Sequence, residues 1–394
     1  MSVYSEGKMY LKVPCLNKRG FTLTELIVVM GIFLTIMLIT ASAFKTIVNN
    51  SSQQSKSVET QIGGIVGLEI FRADLAQAGF GLPWVFRSTP SVDVYLEASD
   101  PTYNDATGDP PRAILSGSNN SLFGSYPGSS YIVIKSAAVA ANETSKKWTN
   151  VSFAEGVKKI TAWGDPRKDF DTNDRVIVVK NSLNTTPTTR QLMVSNGTDS
   201  MGLSPAGSFY TTFGNYSALT LPHLDGDTFQ VYGIGTGSIR MPFNRADYFI
   251  SNDSATDIPV FCAPNTGVLY KATINHSDGN RNRMPLLDCV ADMQIVYGLD
   301  SNGDGIINQY LDAPANTTPP SAADIRSQLK EIRVYILAQD GKKDITFSYP
   351  NPSIDVGETL LGGFWGRQYA IGSAYKNYRW KVYTIVVRPK NLIQ

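Results

Sequence analysis

One carboxylate stands at the entrance of a long apolar segment near the start of the chain. Glu25 is the only charged residue between Arg19 and Lys45. A helix over residues 21–44 would be about 36 Å long at about 1.5 Å per residue, which is enough to cross a hydrocarbon core of about 30 Å. A carboxylate inside such a segment is unfavourable by several kcal/mol unless a cation pairs with it. We therefore expect Glu25 to form an ion pair.

A cation for Glu25 becomes available if the chain is cut between Gly20 and Phe21. The cut gives Phe21 a free amino group, and Glu25 of a neighbouring subunit can then pair with that ammonium where the dielectric constant is low and the attraction strong. One alternative is an ordinary secretory signal, because residues 41–43 form a small-residue cleavage site of the A-x-A type. Another is a plain membrane anchor. Neither alternative requires an acid at this position.

A second group of polar side chains follows the spacing of a calcium-binding loop. Its sequence places oxygen-bearing side chains at loop positions 1, 3, 5 and 9 and Gly305 at position 6. Position 12, where such loops carry a bidentate acid, is Leu311, so either the loop bulges or that ligand comes from elsewhere. The alternative is a tight turn, which also favours Asn, Asp and Gly. The predicted ligands of a calcium ion are Asp300, Asn302, Asp304, Ile306 (through its carbonyl), Asn308 and Asp312.

The cysteines predict one disulfide bond. Cys15 lies before the apolar segment, which leaves Cys262 and Cys289 as the only thiols of the remaining chain. An isolated pair in an exported domain is a disulfide candidate. The alternative is two unpaired cysteines buried in the core.

Signals for catalysis and for nucleic-acid binding are weak. His223 and His276 are the only histidines, and neither stands beside a cysteine or a serine–acid arrangement. The glycine run at residues 233–238 lacks the Lys-Ser/Thr of phosphate-binding loops. The net charge is +1, without a basic field for nucleic acid. We predict a protein that is not an enzyme and does not bind nucleic acid.

The apolar segment is expected to continue as one long helix. Apolar residues recur at intervals of three and four from Val58 to Ala78. Glycine and proline at residues 79–83 then end the helix. Three glycines within residues 63–67 form an expected weak point, because each lowers helix stability by up to about 1 kcal/mol relative to alanine.

The rest of the chain predicts an antiparallel sheet. Residues 89–130 are rich in Ser, Pro, Gly and Asp and are typical of a long surface excursion. Short β-type runs separated by turn residues follow, which favours antiparallel strands over alternating βαβ units. The expected fold class is α+β, a helix packed on a β-rich head. The predicted strands include residues 131–134, 176–179, 191–194, 228–232, 267–270, 293–297, 332–337 and 380–387.

The N-terminal pattern resembles the precursors of type IV pilins and of their type II secretion relatives. The shared features are the basic pair at residues 18–19, Gly20, Phe21, and Glu25 as the fifth residue of the mature chain. Four further segments resemble PilW-type minor pilins, namely residues 71–81, 290–305, 325–337 and 378–384. Residues 90–260 resemble nothing in that family and look like an enlargement of the head.

The resemblance implies a domain organisation. Residues 1–20 are the leader, residues 21–44 the transmembrane half of the helix, residues 45–82 its amphipathic half with the exit turn, and residues 83–394 the head. It also implies cleavage between Gly20 and Phe21, N-methylation of Phe21, and a role for Glu25 in assembly.

The resemblance further implies a non-enzymatic minor pilin that takes part in the initiation or tip complex of a type IV pilus. Its expected partners are a prepilin peptidase, other minor pilins and the major pilin, the inner-membrane assembly platform and membrane lipid. The head would first lie in the periplasm, on a single-pass inner-membrane anchor, and later in the pilus at the cell surface. The alternatives are a minor pseudopilin of type II secretion and a pilin-borne adhesin or ligand-binding head.

Overall fold

The computed structural model describes most of the chain after the leader. The described residues are 22–85, 95–105, 109–118, 128–140, 142–155, 157–182, 189–193, 208–214, 228–253, 258–312 and 320–392. The chain divides into two units, Met1–Ser55 and Lys56–Gln394. Gly20 and Phe21, the predicted cleavage site, lie outside the described residues.

Helix α1 spans Leu23–Ala76. Its first part, Leu23–Val48, is 26 residues long with a mean hydropathy of 2.5, and its side chains are exposed. This segment therefore has the length and the composition to cross a membrane. Its hydroxyl groups bond within the helix, as when Thr35 donates to the carbonyl of Ile32 at 2.7 Å and Thr40 to that of Ile36 at 2.8 Å. Such bonds satisfy polar groups that hydrocarbon cannot hydrate.

The later part of α1 buries one face in the head. Leu68, Phe71 and Leu75 are buried, and the ring of Phe71 stacks on that of Tyr248 with centroids 4.0 Å apart. Ile65, expected on the same apolar stripe, is instead 61% exposed. The helix ends two residues before the predicted Ala78, and a turn over residues 77–81 follows it.

The glycines of α1 have a packing role. The helix continues through them without a break. A Cβ atom on Gly67 would lie 2.3 Å from the carbonyl oxygen of Leu286, and one on Gly64 would lie 2.9 Å from Cδ1 of Leu287. These positions let the helix backbone approach the sheet more closely than any side chain permits. The expected weak point is thus a close contact between helix and sheet.

The head is built from antiparallel strands, and the predicted α+β fold is confirmed. Each predicted β-type run overlaps an observed strand. A short helix, α2, spans Ala322–Gln328 and is capped by Ser321. The described strands are β1 (Ile114–Ser118), β2 (Ser130–Ser136), β3 (Trp148–Ala154), β4 (Val157–Ile160), β5 (Arg175–Ser182), β6 (Thr189–Leu192), β7 (Thr211–Thr212), β8 (Thr228–Gly235), β9 (Asn244–Ser251), β10 (Gly267–Ile274), β11 (Arg281–Leu299), β12 (Gln309–Asp312), β13 (Leu329–Asp340), β14 (Ser353–Leu360), β15 (Gly363–Ala370) and β16 (Arg379–Val387).

The main sheet has eight strands in the order β1-β2-β9-β10-β11-β13-β16, with β12 beside β11. Its strands come from both ends of the head sequence, because β2 pairs with β9 and β1 pairs with β2. The hairpin of β14 and β15 pairs only within itself among the described strands. Its apolar residues, such as Val356, pack with those of β11 and β13 in a separate cluster.

A second sheet of six strands has the order β4-β3-β8-β5-β6, with β7 beside β5. All of its strands lie within residues 148–235, the part of the chain without family resemblance. Ile177 of β5 and Ile234 of β8 belong to the same apolar cluster as Phe71 of α1. The second sheet therefore shares the main core of the head.

The predicted surface excursion at residues 89–130 is wrong for part of its length. Tyr95 and Ile114 are 1% and 0% exposed, and residues 114–118 form β1. The polar composition of this segment suggested exposure to solvent. Two of its acids, Glu97 and Asp105, are instead buried in ion pairs.

Candidate functional site

Glu25 forms a capping box with Thr22 at the start of α1. The backbone N–H and the hydroxyl of Thr22 each donate to Oε2 of Glu25 at 3.0 Å, and the N–H of Glu25 approaches the Thr22 hydroxyl at 3.2 Å. This reciprocal pattern satisfies N–H groups that a helix start leaves unpaired, and it places the acid where the helix dipole favours it. Both bonds from Thr22 end on Oε2, so the cap does not use Oε1.

The predicted calcium loop is a closely hydrogen-bonded turn between β11 and β12. The buried carboxylate of Asp300 accepts from the N–H groups of Gly303 at 2.7 Å, Asp304 at 3.2 Å and Gly305 at 2.8 Å. Although burial raises the pKa of Asp300, the N–H groups of Gly305 and Gly303 and the Lys330 ammonium at 3.5 Å together hold it below its usual range.

The other predicted calcium ligands divide into two groups. Asp304 accepts from the N–H of Ile306 at 2.7 Å, and Asn308 accepts from the N–H of Ser301 at 3.0 Å, so both lie in the same loop as Asp300. Asp312 lies apart in β12 and accepts from the N–H of Gly366 at 2.9 Å. Within the described residues, no group of three or more His, Cys, Asp or Glu is placed to hold a metal ion. Calcium binding stays a prediction.

The predicted disulfide bond between Cys262 and Cys289 is confirmed. Their Cα atoms are 5.1 Å apart, and Cys289 is fully buried in β11. Gln339 of β13 holds the loop that carries Cys262, because its side chain accepts from Ala263 N at 2.6 Å and donates to the carbonyl of Phe261 at 3.0 Å. The bond therefore ties the loop before β10 to the middle of the main sheet.

A buried network of charges lies on the main sheet and was missed by the sequence analysis. Lys135 of β2 contacts Glu97 and Asp105, each at 2.5 Å. Arg245 of β9 contacts Glu97 and Asp247, each at 2.7 Å. Burial raises the pKa of Asp247 and lowers that of Arg245, but their mutual attraction prevails, so Asp247 stays ionised and Arg245 stays protonated. The only sequence signal is the alternation of charges along β9, and Glu97, which joins the network, lies 148 residues from Arg245.

A smaller polar cluster anchors α1. Asp74 accepts from Lys271 of β10 at 2.5 Å and from the hydroxyl of Tyr248 at 2.6 Å. Burial raises the pKa of Asp74, against the opposing effect of the Lys271 ammonium. Because one turn of α1 carries both this acid and Phe71, the helix is fixed in register by a charge and by an aromatic stack.

The carboxylates of the acidic turn at residues 169–174 contact protein groups. Asp169 accepts from the N–H groups of Trp163 at 2.7 Å and Gly164 at 2.9 Å, and Asp174 pairs with Lys147 at 3.0 Å. Its carboxylates therefore hold the connection between β4 and β5.

The exposed apolar helix with its capped acid and the β-rich head together define a pilin-like protein. Residues 15–41 match the prokaryotic N-terminal methylation motif. Residues 247–391, which run from β9 to the end of the main sheet, match the family described as type IV pilus-assembly protein W. These two matches support a pilin of the PilW type, and the resemblance predicted from the sequence is confirmed. No curated protein and no solved structure matched the chain. The six-stranded sheet lies outside both matched segments.

Proposed function

We propose that this chain is a non-enzymatic minor pilin that acts in the initiation or tip complex of a type IV pilus. The match of residues 247–391 to a pilus-assembly family supports a pilus over the type II secretion alternative. The observation that carries the minor role is the six-stranded sheet added to the head. A head enlarged by a further sheet is expected to crowd its lateral neighbours when every subunit of a filament repeats it, whereas it has free space at the filament end.

The assembly chemistry would reside in Glu25. Its capping box orients the carboxylate at the start of α1. A neighbouring subunit's N-terminal ammonium, created by cleavage before Phe21, can pair with the remaining oxygen in the membrane. We infer that the head lies in the periplasm before assembly. Its partners would be the prepilin peptidase, the inner-membrane platform and other pilins.

The test is to locate the chain on pili. Deleting it should sharply reduce the number of pili, and an antibody against the head should label pilus ends. Labelling along the whole filament, or normal piliation after deletion, would contradict the minor role.

Glu25→Val tests the assembly role within the same helix. When this variant replaces the chain in a deletion strain, its leader should still be cleaved, but pili should not be restored. Thr40→Val is a matched control, because the Thr40 hydroxyl donates to the carbonyl of Ile36 in the same helix. If Glu25→Val restores pili as well as Thr40→Val does, the pairing mechanism is wrong.

A ligand-binding head is the second candidate, and the unmatched six-stranded sheet favours it. The measurement is binding of piliated cells to surfaces or glycans, before and after deletion of this chain in a strain that still makes pili. Unchanged binding would leave the assembly role as the sole function.

A further inference from the structure

The main sheet ends at β16 in an open edge. β16 pairs with β13 along its whole length, from Ile332 with Val387 to Asp340 with Arg379, and no described strand pairs with its other side. Residues 344–349 approach only the start of β16, through backbone contacts to residues 376–377 and the Arg379–Asp344 ion pair at 3.0 Å. From residue 381 to residue 387 the edge is open among the described residues.

The side chains of this edge suit an extended partner. Thr384 is exposed and Val386 is 38% exposed. An unpaired strand offers a row of backbone N–H and C=O groups that another extended chain can bind. Its residues are also rich in the β-branched and aromatic types that favour strands.

The last part of the chain, which contains β16, carries charge of one sign. The sequence after Glu358 contains six cationic residues and no acidic one. Arg367, Arg379 and Arg388 have carboxylate partners in Asp292, Asp344 and Glu331. Within the described residues, Lys376, Lys381 and Lys390 have no carboxylate within ion-pair distance, and all three are exposed. Lysines also protect edge strands from aggregation, so the experiment must separate a partner from this protective role.

We infer that β16 receives an extended, acidic segment of another pilin subunit, which adds a strand to the main sheet. Backbone hydrogen bonds would supply the attachment, and pairing of the partner's carboxylates with Lys381 and Lys390 would select the partner. A second copy of this chain does not fit, because two β16 edges would bring like charges together. The inference rests on the proposed function, since it names the partner of a subunit in a pilus complex.

The experiment is site-specific photo-crosslinking of the full chain in piliated cells. A photoreactive residue replaces Thr384 on the open edge, Ser152 on β3, or Ile65 on α1. Ser152 is the matched control, because β3 is paired on both sides with β4 and β8. Ile65 is exposed on the assembly helix and reports contact with other pilins independently of β16. Mass spectrometry identifies the partner and the cross-linked segment.

The probe at Thr384 should cross-link to an acidic segment of another pilin, and the probe at Ser152 should not. Lys381→Glu combined with Lys390→Glu should lower the Thr384 cross-link by about tenfold, as a loss of about 1.4 kcal/mol predicts. The arginine versions of both substitutions should retain it. The melting temperature of each variant must match the parent chain, so that loss of folding is not mistaken for loss of binding.

Three results would overturn the inference. They are a Thr384 cross-link to a second copy of this chain, a cross-link insensitive to the charge reversal, or cross-links at Ile65 without any at Thr384. The last result would leave the pilin function standing and reduce the lysines to protection of the edge. Absence of pilin cross-links at both positions would count against the proposed function itself.

Discussion

Gly67→Ala is expected to loosen the contact between α1 and the main sheet. The added Cβ would lie 2.3 Å from the carbonyl oxygen of Leu286 and 2.9 Å from its Cβ. A backbone carbonyl cannot rotate away as a flexible side chain can, so helix and strand must separate by about 1 Å. Such overpacking is typically unfavourable by about 1–3 kcal/mol, and a clash with backbone belongs to the upper half of that range, about 2–3 kcal/mol. Alanine's greater helix propensity offsets about 1 kcal/mol of that.

The expected net change is a loss of about 1–2 kcal/mol in the free energy of unfolding. Phe71 lies one turn from Gly67 and stacks on Tyr248, so this aromatic contact should weaken with the separation. Thermal unfolding of the full chain in detergent, followed by near-ultraviolet circular dichroism, measures the effect. We expect the melting temperature to fall by a few degrees, given about 2–4 °C per kcal/mol for domains of 150–250 residues and less for larger ones.

Gly31→Ala is the matched control. No atom lies within 4 Å of a Cβ placed on Gly31 in this chain, so only the helix propensity changes there. The head should melt at the parent temperature in this variant. If Gly67→Ala melts at or above the parent temperature, the close helix–sheet contact does not constrain the head, and the assigned role of this glycine is wrong.

Three further predictions concern the head. Replacing Cys262 and Cys289 by alanine should lower the free energy of unfolding by about 3.5 kcal/mol on the loop-entropy model, given their sequence separation of 27. Unchanged thermal stability would show that the disulfide bond does not stabilise the head. Burial raises the pKa of Asp292 from 3.8 to about 6. The folded state therefore binds more protons than the unfolded state, and its stability should fall as pH rises from about 4 to about 6. Asp292→Asn should flatten this part of the profile of stability against pH. An unchanged slope would contradict the raised pKa of Asp292. If the loop at Asp300 binds calcium, millimolar calcium should raise the melting temperature relative to chelator, and Asp300→Ala with Asp304→Ala should abolish the difference. Equal melting in both buffers would leave the loop a turn.

The sequence predicted the elements that rest on local periodicity. The apolar run that contains Leu23–Val48 and the β-type runs carry their own repeat in the residues, so the helix and the antiparallel strands could be identified. The Thr22–Glu25 spacing is likewise a local signal for a helix start, although the sequence analysis read Glu25 only as an intersubunit partner. The disulfide bond was predicted correctly because Cys262 and Cys289 are the only cysteines after the leader.

What the sequence could not supply depends on contacts between distant residues. Strand β9 contains Arg245 and Asp247, and no local pattern shows that they are buried, because Arg245 pairs with the distant Glu97. The glycines of α1 looked like defects, because the carbonyl of Leu286 that they accommodate lies more than two hundred residues away. The same limit applies to the six-stranded sheet, whose packing on the shared core could not be read from its strands alone.

The mature N-terminus tests the central claim most directly. The chain should be purified from pili or from the inner membrane of piliated cells, and its N-terminal peptide measured by mass spectrometry. A pilin of the PilW type predicts a chain that begins at Phe21 with an N-methyl group. A chain that begins at Phe44, after the small-residue site at residues 41–43, would contradict the account, since cleavage there removes Glu25 and the membrane-spanning part of α1.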